Sequence, residues 1–174
     1  MAERFSQKNL RVRPSSDEDK IVTNAKEHFE KTLVEISGEF VGSVAALEHP
    51  TKNKKLNYGE IFLRDNVPVM IYLITQKRYD IVKRFLSLCL ELQSSNYQTR
   101  GVFPTSFVEE KGKLIGDYGQ RSIGRITSAD ASLWWPILCW YYVNKSGDYA
   151  FGKSQGVQRG IQLLLDLVLH PTFE

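Results

Sequence analysis

Two stretches of the sequence gather side chains suited to holding a ligand rich in hydroxyls. The first runs from Asn57 to Pro68 and contains Tyr58, Arg64 and Asp65. An aspartate there accepts from two neighbouring hydroxyls, an arginine donates to a third, and a tyrosine offers an aromatic face. The competing reading is local. Arg64 and Asp65 stand just before an apolar run, where a carboxylate offsets the positive end of a helix. On spacing alone the capping reading ranks ahead. The second stretch runs from Gly116 to Trp135 and holds Gln120, Arg125, Asp130 and the pair Trp134-Trp135. Its local reading is a loop and a helix start, with Asp130 on the helix dipole and one tryptophan in the core. That reading is the weaker one here, because an amide, a guanidinium and a carboxylate are costly to gather in an ordered loop that binds nothing polar.

Other chemistries find little support. His28, His49 and His170 are isolated, and the last two precede proline. They suit capping or surface roles better than catalysis or metal binding. There is no Ser-His-Asp arrangement, P-loop or dinucleotide fingerprint, and no metal-ligand spacing, so neither a metal nor an organic cofactor is expected. Cys89 and Cys139 sit in apolar runs, where a free thiol packs as a small hydrophobe. The 174 residues include 23 Lys and Arg against 20 Asp and Glu, a net charge of +3. The cations are scattered apart from Lys52, Lys54 and Lys55 in an expected loop, which argues against a nucleic-acid partner. No apolar stretch reaches membrane-spanning length. The start, Met1 to Ser6, lacks a signal-peptide core, so the chain reads as cytoplasmic and reduced.

These candidates need elements to position them. Residues 1–15 are polar, end in Arg13-Pro14 and are expected to form a flexible arm. Residues 16–174 read as part of one domain. Ser15 and Ser16 before Asp17-Glu18-Asp19 open a helix with Val22, Ala25, Phe29, Leu33 and Ile36 on its apolar face and Gly38 at its end. Residues 37–48 are apolar with small side chains. Asn66 is the expected N-cap of the next helix, with Val67-Pro68 in its first turn, and a second helix covers Asp80 to Gln93. Residues 94–128 are rich in glycine, with extended pieces at 101–103 and 113–115, a long loop of the kind that carries function. Ser128 is expected to cap a helix reaching Asn144. A turn at 145–148 leads to a last helix, about 156–169, with Val157, Ile161, Leu164, Leu165 and Val168 on one face. The pattern predicts an all-α chain with two helical hairpins, 67–93 and 129–169. Such hairpins stack into a solenoid or close into an α/α barrel, and the decorated 94–128 segment favours the barrel. Arg64 and Asp130, each at the start of an apolar helix, should then share one end of the array.

At the two candidate stretches the sequence resembles the alkaline/neutral invertases. Leu56-Asn57-Tyr58, Arg64-Asp65 and Val67-Pro68 carry the first part of the likeness; Gly124-Arg125, Asp130 and Trp134-Trp135 carry the second. Ile81-Val82-Lys83, Phe85-Leu86 and Pro104-Thr105-Ser106-Phe107 fit the same order between them. The short 94–128 segment, and Gln120 where plant members have Glu, resemble the cyanobacterial or bacterial type. The resemblance implies an (α/α)6 helical barrel that hydrolyses sucrose to glucose and fructose with inversion and without a metal. Inversion needs a general acid and a general base about 6.5–9.5 Å apart. In the family both carboxylates follow the segment matching Pro171 to Glu174, so this chain is expected to be an N-terminal portion, inactive alone, with no catalytic residue of its own. The substrate-binding residues the resemblance implies are Tyr58, Arg64, Asp65, Gln120, Arg125, Asp130 and Trp134. An Arg-Asp pair in the same place grips the outer glucosyl hydroxyls in related glucan-cleaving barrels. An incomplete barrel leaves apolar helix faces uncovered, so a homo-oligomer is expected. The alternative from another class is a non-catalytic helical-hairpin module that binds a sugar or a protein; the mass of the natural gene product separates the two.

Overall fold

The computed structural model describes residues 16–44, 58–120 and 128–171. The chain divides into two units, Met1–Lys31 and Thr32–Glu174, which are taken separately. The expected arm, residues 1–15, lies outside the described residues. In the first unit the described part is α1, Ser16–Thr32, with Asp17, Glu18 and Asp19 in its first turn and Lys31 in its last. Its expected apolar face is not buried. Ile21 and Val22 are 68% and 51% exposed, Ala25 is exposed and Phe29 only half-buried.

The second unit overturns the all-α expectation, and with it the (α/α)6 barrel as the architecture of these residues. Its described residues contain two antiparallel sheets. β1 (Leu33–Ile36) pairs with β2 (Glu39–Ser43). Leu33 and Ile36 are therefore strand residues, both buried, rather than the end of the first helix. Gly38 does not stop a helix. With Ser37 it forms a two-residue loop at φ +82° and +55°, and positive φ at both positions suits the right-handed twist of a hairpin. The second sheet has the order β3-β4-β5, from Ile61–Phe62, Ser106–Glu110 and Lys113–Asp117. Phe107 pairs with Ile61 on one side and Gly116 on the other. This sheet fills the middle of the segment read as a long loop. Lys111 and Gly112, at φ +53° and +74°, make its second hairpin turn.

The helices agree better with the periodicity. α2 is Leu63–Thr75, α3 Tyr79–Glu91, α4 Ala129–Ser146 and α6 Gln155–Val168, with a single turn, α5, at Tyr149–Gly152. The first expected hairpin stands as α2 packed on α3; in the second, α5 follows α4, and α6 packs on α3 and α5. Ser128 is the N-cap position of α4, as expected, whereas α2 starts at Leu63 with Phe62 as N-cap, so Asn66 lies inside the helix. The core sits among α2, α3, α4 and the second sheet. Trp135 is fully buried, stacks on Phe103 at 4.6 Å and donates its indole N–H to the Leu86 carbonyl at 3.1 Å. Cys89 and Cys139 are free and buried; burial pushes both thiols up, Cys139 to about 11. On α6 the buried positions are Val157, Gly160 and Leu164, while Leu165 is 43% exposed, so the helix is rotated from the expected face. A Cβ at Gly160 would meet the Leu90 side chain at 2.4 Å, so Leu90 would have to move to admit one, and Gln93 donates to the carbonyls of Gly160 and Gly101, each at 2.8 Å.

Candidate functional site

Arg64 and Asp65 occupy the first turn of α2, and Asp130 the first turn of α4. The two N-termini meet. Arg64 Nη1 lies 3.6 Å from Asp130 Oδ1, and Arg64 Nε lies 3.8 Å from Asp65 Oδ1. All three side chains are half exposed, at 58%, 57% and 50%. One guanidinium thus stands between two carboxylates at the surface, at distances longer than a direct hydrogen bond. The Ser128 hydroxyl donates to Asp130 Oδ1 at 2.6 Å. That bond, ahead of the Arg64 charge and a contribution from the Trp134 indole, holds the Asp130 carboxyl below the usual carboxylate range. Asp130 is therefore an anion and an acceptor at neutral pH.

Trp134 follows Asp130 by one helical turn and is 36% exposed, in contrast to its buried neighbour Trp135. Tyr58, just before β3, is 48% exposed. Gln120 is exposed, and its side-chain oxygen accepts from the Tyr118 backbone N–H at 3.2 Å. Arg125 lies outside the described residues. Of the seven residues singled out in the sequence, the structure joins Arg64, Asp65 and Asp130 by ion pairs and sets Trp134 one helical turn beyond Asp130; for Tyr58 and Gln120 it shows exposure.

The placement of this cluster depends on buried residues that periodicity does not reveal. Asn66, 1% exposed, bonds like a peptide unit against β2. Its oxygen accepts from the Ser43 N–H at 2.7 Å, and its amide nitrogen donates to the carbonyls of Ser43 and Phe62, each at 2.9 Å. The α2 turn that carries Arg64 is thereby pinned to the first hairpin. Thr105 joins three elements. Its carbonyl accepts from the Leu63 N–H at 2.9 Å and its own N–H donates to the Asp117 carbonyl at 2.7 Å. Its hydroxyl accepts from the Ser128 N–H at 3.3 Å. Beside it the Ser106 hydroxyl donates to the buried Glu60 carboxylate at 2.6 Å. The one sequence signal for these residues is a run of small hydroxylated side chains, Thr105-Ser106, between two aromatics.

Chemically the cluster can bind neutral hydroxyls. The carboxylates accept, the guanidinium donates and the indole offers a face, and charge-assisted hydrogen bonds of this kind are the strong ones. Residues 25–174 match the family described as alkaline and neutral invertase. The chain is 33% identical over 177 residues to alkaline/neutral invertase CINV2 of Arabidopsis thaliana, covering 95% of this chain and 32% of that protein. It is 36% identical over 182 residues to neutral/alkaline invertase 1, mitochondrial, of Oryza sativa subsp. japonica, covering 95% and 28%. It is 30% identical over 175 residues to probable alkaline/neutral invertase D of Arabidopsis thaliana, covering 94% and 33%. The chain spans about a third of the length of these curated relatives.

Proposed function

The chain belongs to the alkaline and neutral invertase family, and we propose that it supplies the glucosyl-gripping part of a site that hydrolyses sucrose to glucose and fructose. The observation that carries this reading is the convergence of Arg64 and Asp130 at 3.6 Å, half exposed at the meeting of two helix N-termini. Arg64, Asp65 and Asp130 hold the outer hydroxyls of the glucosyl ring. Trp134 and Tyr58 offer it aromatic faces, and Gln120 and Arg125 complete the donors and acceptors. None of the seven is the proton donor. Asp130 is held ionised by Ser128 and Arg64, which suits an acceptor and not a general acid. The acid and base of an inverting reaction are carboxylates other than Asp65 and Asp130. Grip at a distance from the bond that breaks still raises the rate, because it holds that bond between the acid and the activated water.

Among the described residues no helix is long and apolar enough to cross a membrane. The relatives' names include a mitochondrial form, a chloroplastic form and a cytosolic form, and the reading for this chain is the cytosol. Leu133, Ile137 and Trp140 stand exposed along α4, and the reading includes self-association through such apolar area. The experiment is sucrose hydrolysis followed by NMR. The full-length protein should release glucose in the anomeric form opposite to that in sucrose, and the purified 174-residue chain should release none. Glucose release by the chain alone, or retention of configuration by the full-length protein, overturns the reading.

A further inference from the structure

We propose that the Thr105 hydroxyl is a positioning group that sets the separation of Arg64 and Asp130, and through it the grip on the glucosyl ring. The inference rests on the reading of that pair as the sugar-holding cluster. Thr105 is 7% exposed and lies just before β4, outside both helices that carry the pair. Its backbone carbonyl holds Leu63, the first residue of α2, at 2.9 Å. Its hydroxyl holds the backbone N–H of Ser128, the N-cap position of α4, at 3.3 Å. One residue therefore fixes the start of each helix. The remaining links close a ring: Ser128 Oγ to Asp130 at 2.6 Å, then Asp130 to Arg64 at 3.6 Å, with Arg64 next to Leu63 in the chain. The backbone half of this bridge is available to any residue at position 105. The half that reaches α4 needs an acceptor one rotatable bond from the main chain, which threonine or serine supplies and valine or alanine does not.

A helix N-terminus leaves its first N–H groups without intrahelical partners, so the Thr105 hydroxyl satisfies a half-buried donor as well as placing it. Loss of the hydroxyl frees the Ser128 turn, and Asp130 moves with it. A guanidinium and carboxylate already beyond hydrogen-bond distance are sensitive to a further small shift, because the geometry of a hydroxyl held between them degrades steeply with misplacement.

The test is sucrose kinetics and thermal unfolding of the full-length protein carrying Thr105→Val, Thr105→Ser and, as reference, Arg64→Ala. Thr105→Val keeps the shape and removes the acceptor. It should lower kcat/KM by about two- to tenfold, the value of one neutral hydrogen bond, and Thr105→Ser should restore most of the loss although it gives up a buried methyl. Wild-type efficiency in Thr105→Val, or an equal loss in the serine variant, overturns the proposal. If Arg64→Ala leaves kcat/KM unchanged, the sugar-holding reading itself fails and this inference falls with it. A normal Thr105→Val beside a damaged Arg64→Ala sinks the inference alone. Should Thr105→Val not fold, Thr105→Ala, the smaller variant without a hydroxyl, carries the same expectation.

Discussion

Two aspartates stand at the two ends of α4, and the protein engages their charges to different extents; under our proposal the less engaged one is left for a ligand. Asp148 follows the C-terminal end and is N-cap of α5. Its Oδ2 accepts from Lys83 at 2.7 Å and from the Tyr142 hydroxyl at 3.0 Å, and its Oδ1 accepts from the Phe151 N–H at 3.0 Å. Lys83 also lies 5.5 Å from the Phe151 ring, and Tyr79 donates to the Lys145 carbonyl. Asp148 is 23% exposed, and both its oxygens are engaged by the protein. Asp130, at the N-terminal end, is 50% exposed and meets Arg64 at 3.6 Å. Both carboxyls are held below the usual range, Asp148 chiefly by Lys83 and the Phe151 N–H, Asp130 chiefly by Ser128. A lowered carboxylate is thus common to both ends. What distinguishes them is how fully the protein itself uses the charge.

Neighbouring tryptophans give the sharpest way to break that contrast. Trp135→Ala should destabilise the chain by about 3–5 kcal/mol, the range for truncating a large buried aromatic, as read by denaturant unfolding. A loss below about 1 kcal/mol would mean that α4 is not anchored through Trp135. At the other end, Asp148→Ala removes a helix cap and should cost about 1–2 kcal/mol while leaving sucrose kcat/KM at the wild-type value. A parallel fall in efficiency would show that the two ends of α4 are not separable.

Acid sharpens the same contrast. The folded-state value of Asp148 is depressed, so the stability it contributes is present above the ordinary carboxylate value of about 3.9. It is lost as pH falls through the lower folded value. Asp148→Asn should therefore show a shallower loss of stability below about pH 4 than the wild type. Equal slopes would contradict the assignment. Tyr142, pushed up to about 12 by burial and by Asp148, stays a donor throughout. The smallest effect expected at this end is that of Lys83→Ala, about 0.2–1 kcal/mol, because Lys83 is 48% exposed.

The sequence made the two ends of α4 legible to different degrees, for physical reasons. Strong 3.6-residue periodicity located α3 and α6 to within a residue or two, the Ser128 cap located α4 as closely, and helix starts at Arg64 and Asp130 were enough to bring the pair to one end. The extended piece at 113–115 anticipated β5; the other strands were missed because they are short and lie among glycines. Leu33 and Ile36 also continue the three- and four-residue spacing of α1, although Leu33-Val34-Glu35-Ile36, with β-branched Val34 and Ile36, forms a strand. Asn66 resembled an N-cap because its amide suits one; here that amide bonds to Ser43 across the chain instead. Beyond the Thr105-Ser106 run itself, nothing local marks the role of Thr105, since its partners Leu63, Asp117 and Ser128 are all distant in sequence. Asp148 was read only as part of a turn, and its partner Lys83 is 65 residues away.

The central claim is that Arg64 and Asp65 serve the substrate and not the helix they begin. The direct measurement is sucrose kinetics and thermal unfolding on the same full-length variants, Arg64→Ala and Asp65→Ala. A charge-assisted hydrogen bond to a glucosyl hydroxyl is worth about 1.5–3 kcal/mol, so kcat/KM should fall about ten- to hundredfold with the melting temperature nearly unchanged. A stability loss of about 1 kcal/mol with unchanged kcat/KM would contradict the account and leave the pair as a helix cap.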